Sequence, residues 1–372
     1  MAIQIKKVIS PAHLQTFIEL PYKLHKAQEN WMPTMITDDK KFFNPEKNHQ
    51  FDSCDTVLAL AYKDDKVAGR IMGIIHNTYN ALRGENNARF GYIDAIDDQQ
   101  VVHELIAYIS DWAKQKGKEK LVGPYGFSDK DVQGLLIEGF DKKPLIDSAC
   151  NPAYIVKLIE KEGFLKDIDC YTYKFPSNMH FPELYYKIRD RAIKNQSVVL
   201  HNFTSRSELK KYIVPVLQLV NTTYNELYGF VPMTDTEIQE LAGRYLPILD
   251  PRFVKVVTKA DEVVGFIVGI PNLTDGMIKA KGRLFPFGVF KILWEMKRTK
   301  QLDLMLGAVH RQYQSLGLEV VLGLSLIDAA KNAGMEQIET HLILENNVKM
   351  RAEMERVNIP IYKRFRVYQK LI

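Results

Sequence analysis

One short segment of this chain occurs twice. Residues 63–74 read KDDKVAGRIMGI and residues 259–270 read KADEVVGFIVGI. The offset is constant: Lys63 to Lys259, Gly69 to Gly265 and Ile74 to Ile270 are each 196 positions (259 − 63 = 196). In each copy apolar strand residues flank a polar turn, the pattern of a β-hairpin. Asn151 and Asn347, each just before a short helical stretch, stand at the same separation, 347 − 151 = 196. A unit recurring at a fixed interval means a duplicated architecture with copies of similar length. The junction falls in the polar, Pro-bearing stretch Pro176–Pro182, which divides the chain into 1–178 and 179–372. A chain of 372 residues suits two domains better than one.

Each copy alternates strands and helices, which predicts an α/β fold in two tandem domains. In copy one, Ile3–Val8 reads as a strand and Ser10–His25 as a helix opened by Ser10 and Pro11. The hairpin Val57–Tyr62 and Val67–His76 follows, then the strand Ala88–Ile96. The helix Gln99–Lys116 carries Val102, Leu105, Ile106, Ile109 and Trp112 on one face. Glu119–Gly123 is a buried strand, and a helix after Asn151 leads to the strand Asp169–Phe175. Copy two repeats the order: helix Glu183–Lys194, strand Val198–Asn202, helices Ser205–Leu227 and Asp235–Leu246, and the hairpin Phe253–Val257 with Glu262–Ile270. The segment Pro271–Gln301 is an insertion. Within it, Phe285–Thr299 is an apolar stripe with a basic end at Lys297, Arg298 and Lys300; contact with a membrane surface or with a substrate is one reading, and the commoner arrangement, expected here, packs such a stripe on its own domain. The copy closes with the helix Val348–Val357 and the strand Ile361–Leu371.

The stretch Leu302–Asn347 carries the chemistry. Leu302–Val309 is a strand, His310–Gly317 a polar loop, Leu318–Asn332 a helix stopped by Gly334, and Ile338–Leu344 a second buried strand. Such a unit points free helix-start N–H groups and a partial positive charge at the loop, a site suited to phosphate. The loop, with Val309 before it and Gln314-Ser315-Leu316-Gly317-Leu318-Glu319 within it, resembles motif A of the GNAT superfamily of acyl-CoA-dependent N-acyltransferases. Over residues 90–175 the chain also resembles the N-terminal half of bacterial tandem-GNAT proteins of unassigned substrate, at Gly123-Pro124, Gly134-Leu135-Leu136, Gly139-Phe140 and Glu160-Lys161-Glu162-Gly163-Phe164.

The resemblance implies two tandem GNAT-like domains, each with a mixed, mostly antiparallel central sheet flanked by helices, and an acyl-CoA-dependent N-acyltransferase. Acetyl-CoA or another acyl-CoA would lie on Gly307, Ala308, Val309, Gln314, Ser315, Leu316, Gly317, Leu318 and Asn347, and a small-molecule or peptide amine would be the acceptor. The first copy runs from strand to helix without a Gly-bearing loop and offers no cradle. Glu319 stands where the family has a small residue, and its carboxylate repels a pyrophosphate. The family's fourth-motif Tyr, the usual proton source for the leaving thiolate, falls on Met354, and its Gly-Phe falls on Asn358 and Ile359. Tyr362 or Tyr313 is the substitute acid, and Asp303 and Glu345 are the candidate bases. The tract Tyr224–Phe230 is a candidate acceptor lining. Glu319 and Met354 favour a second reading, a non-catalytic GNAT-fold protein that binds a ligand or partner. A third, aminoacyl-tRNA-dependent transfer, calls for a basic channel that the charge pattern lacks.

Composition narrows the alternatives. Net charge is +5 with a pI near 8.8, and basic residues are interspersed with acids, so no nucleic-acid face stands out. Cys54, Cys150 and Cys170 lack CxxC spacing and no Cys/His cluster suggests zinc, so the expectation is reduced thiols, no metal and a cytoplasmic protein. No signal segment or membrane span is expected. Neither a nucleic-acid nor a membrane partner is expected, and oligomeric state is open.

Overall fold

A computed structural model describes residues 2–372. Copy one runs β1 (Ile3–Lys7), α1 (Pro11–Leu24), α2 (Ile36–Phe42), β2 (Cys54–Lys63), β3 (Lys66–His76), α3 (Asn77–Arg83), β4 (Asn87–Ala95), α4 (Gln99–Gln115), β5 (Lys120–Gly123), β6 (Leu135–Glu138), α5 (Ala153–Lys161) and β7 (Leu165–Pro176). Copy two runs α6 (Glu183–Gln196), β8 (Val199–Asn202), α7 (Arg206–Thr223), α8 (Asp235–Tyr245), β9 (Val254–Lys259), β10 (Glu262–Pro271), α9 (Thr274–Ala280), α10 (Gly288–Arg298), β11 (Gln301–Val309), α11 (Leu318–Asn332), β12 (Gln337–Thr340), β13 (Ile343–Leu344), α12 (Val348–Arg356) and β14 (Ile361–Leu371). The interval of the hairpins holds elsewhere: β1 to β8 (199 − 3), β3 to β10 (262 − 66) and β7 to β14 (361 − 165) all begin 196 residues apart. It survives because copy one carries β6 and its loops between β5 and α5, while copy two carries α9 and α10 between β10 and β11. Two insertions at different places have nearly equal length.

The chain forms two compact units, each drawn from several segments. Unit 1 comprises Met1–Tyr171, Leu273–Glu295 and Lys363–Ile372; unit 2 comprises Thr172–Asn272 and Met296–Tyr362. Unit 2 begins at Thr172, ahead of the boundary expected at 178/179, and Leu273–Glu295 and Lys363–Ile372 from later in the chain belong to unit 1. Strand order in unit 1 is β1-β2-β3-β4-β5-β14-β7, with β6 also on β14. Unit 2 runs β7-β12-β11-β10-β9-β8, entered through the last residues of β7. Among the pairings described, β4 with β5 and β11 with β12 are parallel, and β1–β2, β2–β3, β3–β4, β5–β14, β6–β14, β7–β12, β10–β11, β9–β10 and β8–β9 are antiparallel. This is the mixed, mostly antiparallel sheet flanked by helices that the resemblance implies.

Helix starts follow the capping residues. Ser10 accepts from the His13 N–H, Asp98 from Gln100, and Ser205 from Glu208, while Thr234 and Glu237 form a reciprocal box at α8. The buried face of α4 presents Val101, Val102, Leu105, Ile106 and Ile109 to the unit 1 core. Two expectations are corrected. Ile338–Leu344 is not one strand: pairing stops at Thr340, and β13 resumes only at Ile343. The stripe 285–299 does not pack inward; Phe287, Phe290 and Trp294 face outward from α10. The helices α2, α3 and α9 are each seven residues long, too short for a periodic signal.

At the end of β4, unit 1 buries a charged knot. Asp94 accepts from Arg70 Nε at 2.8 Å and pairs with His25 Nε2 at 2.6 Å. Arg70 also donates to the Phe17 carbonyl at 2.8 Å and lies over the Phe17 ring. Burial alone would raise the Asp94 pKa, but Arg70 and His25 together hold it well below the usual carboxylate range. Asp94→Asn would strand the Arg70 cation in the core. We expect a loss of about 3 kcal/mol in unfolding free energy, measured by urea denaturation at neutral pH.

Candidate active site

In unit 2 the ladder between β10 and β11 contains one extra residue. Val268 lies opposite Leu306 and Gly269 opposite Leu304, so Met305 has no partner of its own. On its other edge β11 pairs with β12 only from Gln301–Leu304 against Gln337–Thr340. The last tie is the His341 N–H to the Leu304 carbonyl at 2.9 Å. Beyond it β11 runs on to Val309 held by β10 alone, and the two strands part.

The antiparallel alternation fixes where the free backbone points. The His310 N–H donates to Val264 at 2.8 Å, so Val309 and, two residues earlier, Gly307 turn their N–H and C=O away from β10. Ala308, opposite Phe266, faces β10. The outward carbonyls are satisfied: Tyr224 Oη donates to Gly307 O at 2.9 Å, and Gln314 Nε2 to Val309 O at 3.1 Å. Among the described residues nothing accepts from the N–H groups of Gly307 and Val309. Two aligned donors therefore line the opening between β11 and β12.

The loop after β11 begins with a 3-10 turn at Arg311–Tyr313 and ends on Gly317, whose φ is +88°. A Cβ at Gly317 would also lie 2.8 Å from Ile188 Cγ2 and 3.1 Å from Ala192 Cβ on α6, so glycine is required twice over. Helix α11 then buries Leu318, Val321 and Leu322 against Val257, Val264 and Val309. This packing fixes the helix start beside the loop. Glu319, exposed in the first turn, reaches back so that its Oε1 accepts from the Ser315 N–H at 3.2 Å. A resident carboxylate thus holds a loop amide beside the positive end of the helix.

The nominated cofactor residues Gly307, Ala308, Val309, Gln314, Ser315, Leu316, Gly317 and Leu318 form one run from strand through loop to helix. Asn347 is separate from it in the chain: it caps α12, its Oδ1 accepting from Met350 at 3.2 Å. Asp303 is buried at the paired end of β11, accepting from Asn272 Nδ2 at 2.7 Å and Gln301 Nε2 at 2.8 Å. Gln301 also reaches the buried Glu339 at 3.1 Å and accepts from Lys174 at 2.6 Å. Glu345 follows β13, its carbonyl accepting from Arg351 at 2.8 Å. Tyr362 opens β14 with the Lys174 ammonium 5.2 Å from its ring centre. The tract Tyr224–Phe230 reaches the loop, since Arg311 bonds Asn225 and Glu226, each at 3.0 Å. Phe230 itself is core. Tyr224 as the partner of Gly307, and α6 as the backing of Gly317, escape the sequence reading because each needs a contact across many residues. Among the described residues no group of three or more His, Cys, Asp or Glu side chains could hold a metal ion.

Unit 1 carries the same device. The β3–β4 ladder shifts between Arg70 and Met72, where Tyr92 takes φ +50°. Here the Tyr125 N–H donates to Phe90 O at 2.8 Å, and a Cβ on Gly91 would strike Tyr125 O at 2.6 Å. The segment after β5 packs closely against β4 at this point.

Doubled α/β units of this topology, each with a bulged strand parting from its parallel neighbour, define the tandem GNAT fold. Solved structures agree: a tandem GNAT protein from the clavulanic acid biosynthesis pathway superposes with a TM-score of 0.54 at 11% identity, over 100% of this chain and 98% of that one. A GCN5-related N-acetyltransferase from Sphaerobacter thermophilus gives 0.51 at 11% identity, over 99% and 95%. Among curated proteins, the chain is 29% identical over 377 residues to a bacterial ceramide synthase of Caulobacter vibrioides, covering 100% of this chain and 98% of the relative. It is also 29% identical over 378 residues to the protein YghO of Escherichia coli, over 99% and 95%. No family profile matches the chain.

Gly317→Ala combines a left-handed φ with a clash against α6. It should lower unfolding free energy by about 2 kcal/mol, read by denaturant titration. Leu316→Ala, at an exposed neighbour, should change it little.

Proposed function

We propose that this protein is an N-acyltransferase that moves an acyl group from a thioester to an amine, with unit 2 as the donor site. The observation that carries the reading is the end of β11–β12 pairing at Leu304, beyond which the Gly307 and Val309 amides turn away from β10 with no acceptor among the described residues. Those amides suit the polar arm of a thioester donor or the oxygen that gains charge as its carbonyl is attacked. The first-turn amides of α11 suit a phosphate once Glu319 swings aside. Glu319 is exposed and its carboxylate accepts one hydrogen bond, from the Ser315 N–H, so that movement costs little.

Acyl-CoA, when bound, supplies the activated acyl group. Attack by the amine forms the C–N bond and breaks the C–S bond; the amine loses a proton and the thiolate takes one. Tyr224 is the phenol joined directly to the outward edge of β11, through the Gly307 carbonyl, and we assign it the proton for the thiolate ahead of Tyr362 and Tyr313. Asp303 and Glu345 remain the candidates for taking the amine's proton. The Caulobacter relative's name describes synthesis of ceramide, an amide of a fatty acid with a long-chain amino alcohol. By that likeness the acceptor here is a long-chain amine and the acyl group a fatty acyl chain, with acetyl-CoA the lesser alternative.

Glu319 and the Met354 position favour the second reading, a GNAT-fold protein that binds a ligand without transfer. Incubation with radiolabelled acetyl-CoA or long-chain acyl-CoA and a panel of amines, beside thermal shift with the same donors, separates the two. Labelled amide supports the transferase. A concentration-dependent shift without product supports binding alone, and neither response ends the donor-site assignment. In the transferase case Tyr224→Phe should lower kcat by roughly ten- to a hundredfold with little change in KM. Glu319→Ala should lower KM for acyl-CoA severalfold and leave that for an acyl-pantetheine donor, which lacks the diphosphate, unchanged.

A further inference from the structure

The segment from Phe285 into α10 displays large apolar side chains to solvent. Phe285, Phe287, Phe290 and Trp294 are 80, 67, 69 and 60% exposed, and Leu293 is 45% exposed. Phe287, Phe290 and Trp294 follow i, i+3, i+7 spacing and form one stripe along the helix. The opposite face is tied down: a Cβ on Gly276 of α9 would lie 2.7 Å from Ile292 Cα, and Lys279 bonds Glu295 at 2.6 Å. The whole segment is anchored in unit 1 by Thr274 to the Pro144 carbonyl at 2.8 Å and by the Ile36 N–H to Gly282 at 2.9 Å. The stripe is therefore a fixed outward surface.

Its charge surroundings choose the occupant. The two acids of the stretch, Asp275 and Glu295, are already paired with Lys143 at 2.7 Å and Lys279 at 2.6 Å. Lys281, Arg283 and Lys291 are exposed beside the stripe, and among the described residues none of them forms an ion pair. A second copy seated on this face by a two-fold axis would bring the same cations against one another. An anionic lipid surface meets both needs, taking the aromatic rings at the headgroup boundary and compensating the cations. No helix is long and apolar enough to cross a membrane, so the contact is peripheral.

We propose that the 285–294 stripe docks this protein onto the surface of an anionic phospholipid bilayer. The proposal departs from the expectation of no membrane partner and goes beyond acyl transfer, since it is read by partitioning and not by turnover. The full chain is incubated with vesicles of phosphatidylglycerol and phosphatidylcholine in equal parts, or of phosphatidylcholine alone, and sedimented. Expected are binding to the mixed vesicles, weaker binding to the neutral ones, and a loss with added salt. Phe287→Ser/Phe290→Ser/Trp294→Ser should weaken partitioning about tenfold or more with the melting temperature unchanged, the replaced side chains being exposed. Lys291→Glu should weaken binding to the anionic vesicles only. The emission of Trp294, isolated by difference from Trp294→Phe, should shift to the blue with anionic vesicles. Absence of sedimentation with either vesicle overturns the proposal, as does undiminished binding by the triple variant. So does a dimer in solution that the triple variant converts to monomer, which would show a second copy covering the face.

Discussion

The extra residue at Met305 sets the direction of every backbone amide downstream on β11. Without it, the alternation that turns Leu302 and Leu304 toward β12 would continue, and the parities of Gly307 and Val309 would be exchanged with Ala308. With it, two amides face the space that β12 vacates. Tyr224 and Gln314 then take up the outward carbonyls, leaving a donor-only edge. That edge is a place for an acceptor-rich ligand, and the cleft's polarity is set by the ladder rather than by charged side chains.

The two copies show what becomes of such an opening. Both keep the bulge and the short parallel pair. In unit 1 the Tyr125 segment packs against β4 and satisfies Phe90, so Gly91 is needed for backbone passage. In unit 2 no described group accepts from the Gly307 and Val309 amides, and the helix start beyond them carries Glu319. The carboxylate on the Ser315 amide does for the empty loop what a diphosphate would do for a loaded one: it compensates amide dipoles at a helix start. Self-occupation by an acid is weaker than by a packed loop, which distinguishes a site in reserve from one closed by its own fold.

Much of this was legible in the residues, for local reasons. The hairpins read directly because polar turns interrupt strand-length apolar runs, and the 196-residue interval tied them together. The stretch Gly307–Leu318 read well because strand, loop and helix start are contiguous. The break in Ile338–Leu344 was hidden, since its cause is the departure of β11 and not anything in His341 or Leu342. Tyr224 and Ile188 were invisible for the same reason: their partners lie about eighty and about a hundred and thirty positions away. The exposed stripe on α10 was misread because amphipathicity tells which face is apolar but not whether the protein covers it.

Unit 1 includes Lys363–Ile372, and β5, which ends at Gly123, finds its outer neighbour in β14. During synthesis the first unit is consequently left with a naked ladder edge until β14 leaves the ribosome. Nascent chains of this protein carry that edge for the time it takes to add more than half the sequence, a window in which a chaperone or a neighbouring nascent strand competes for the place of β14.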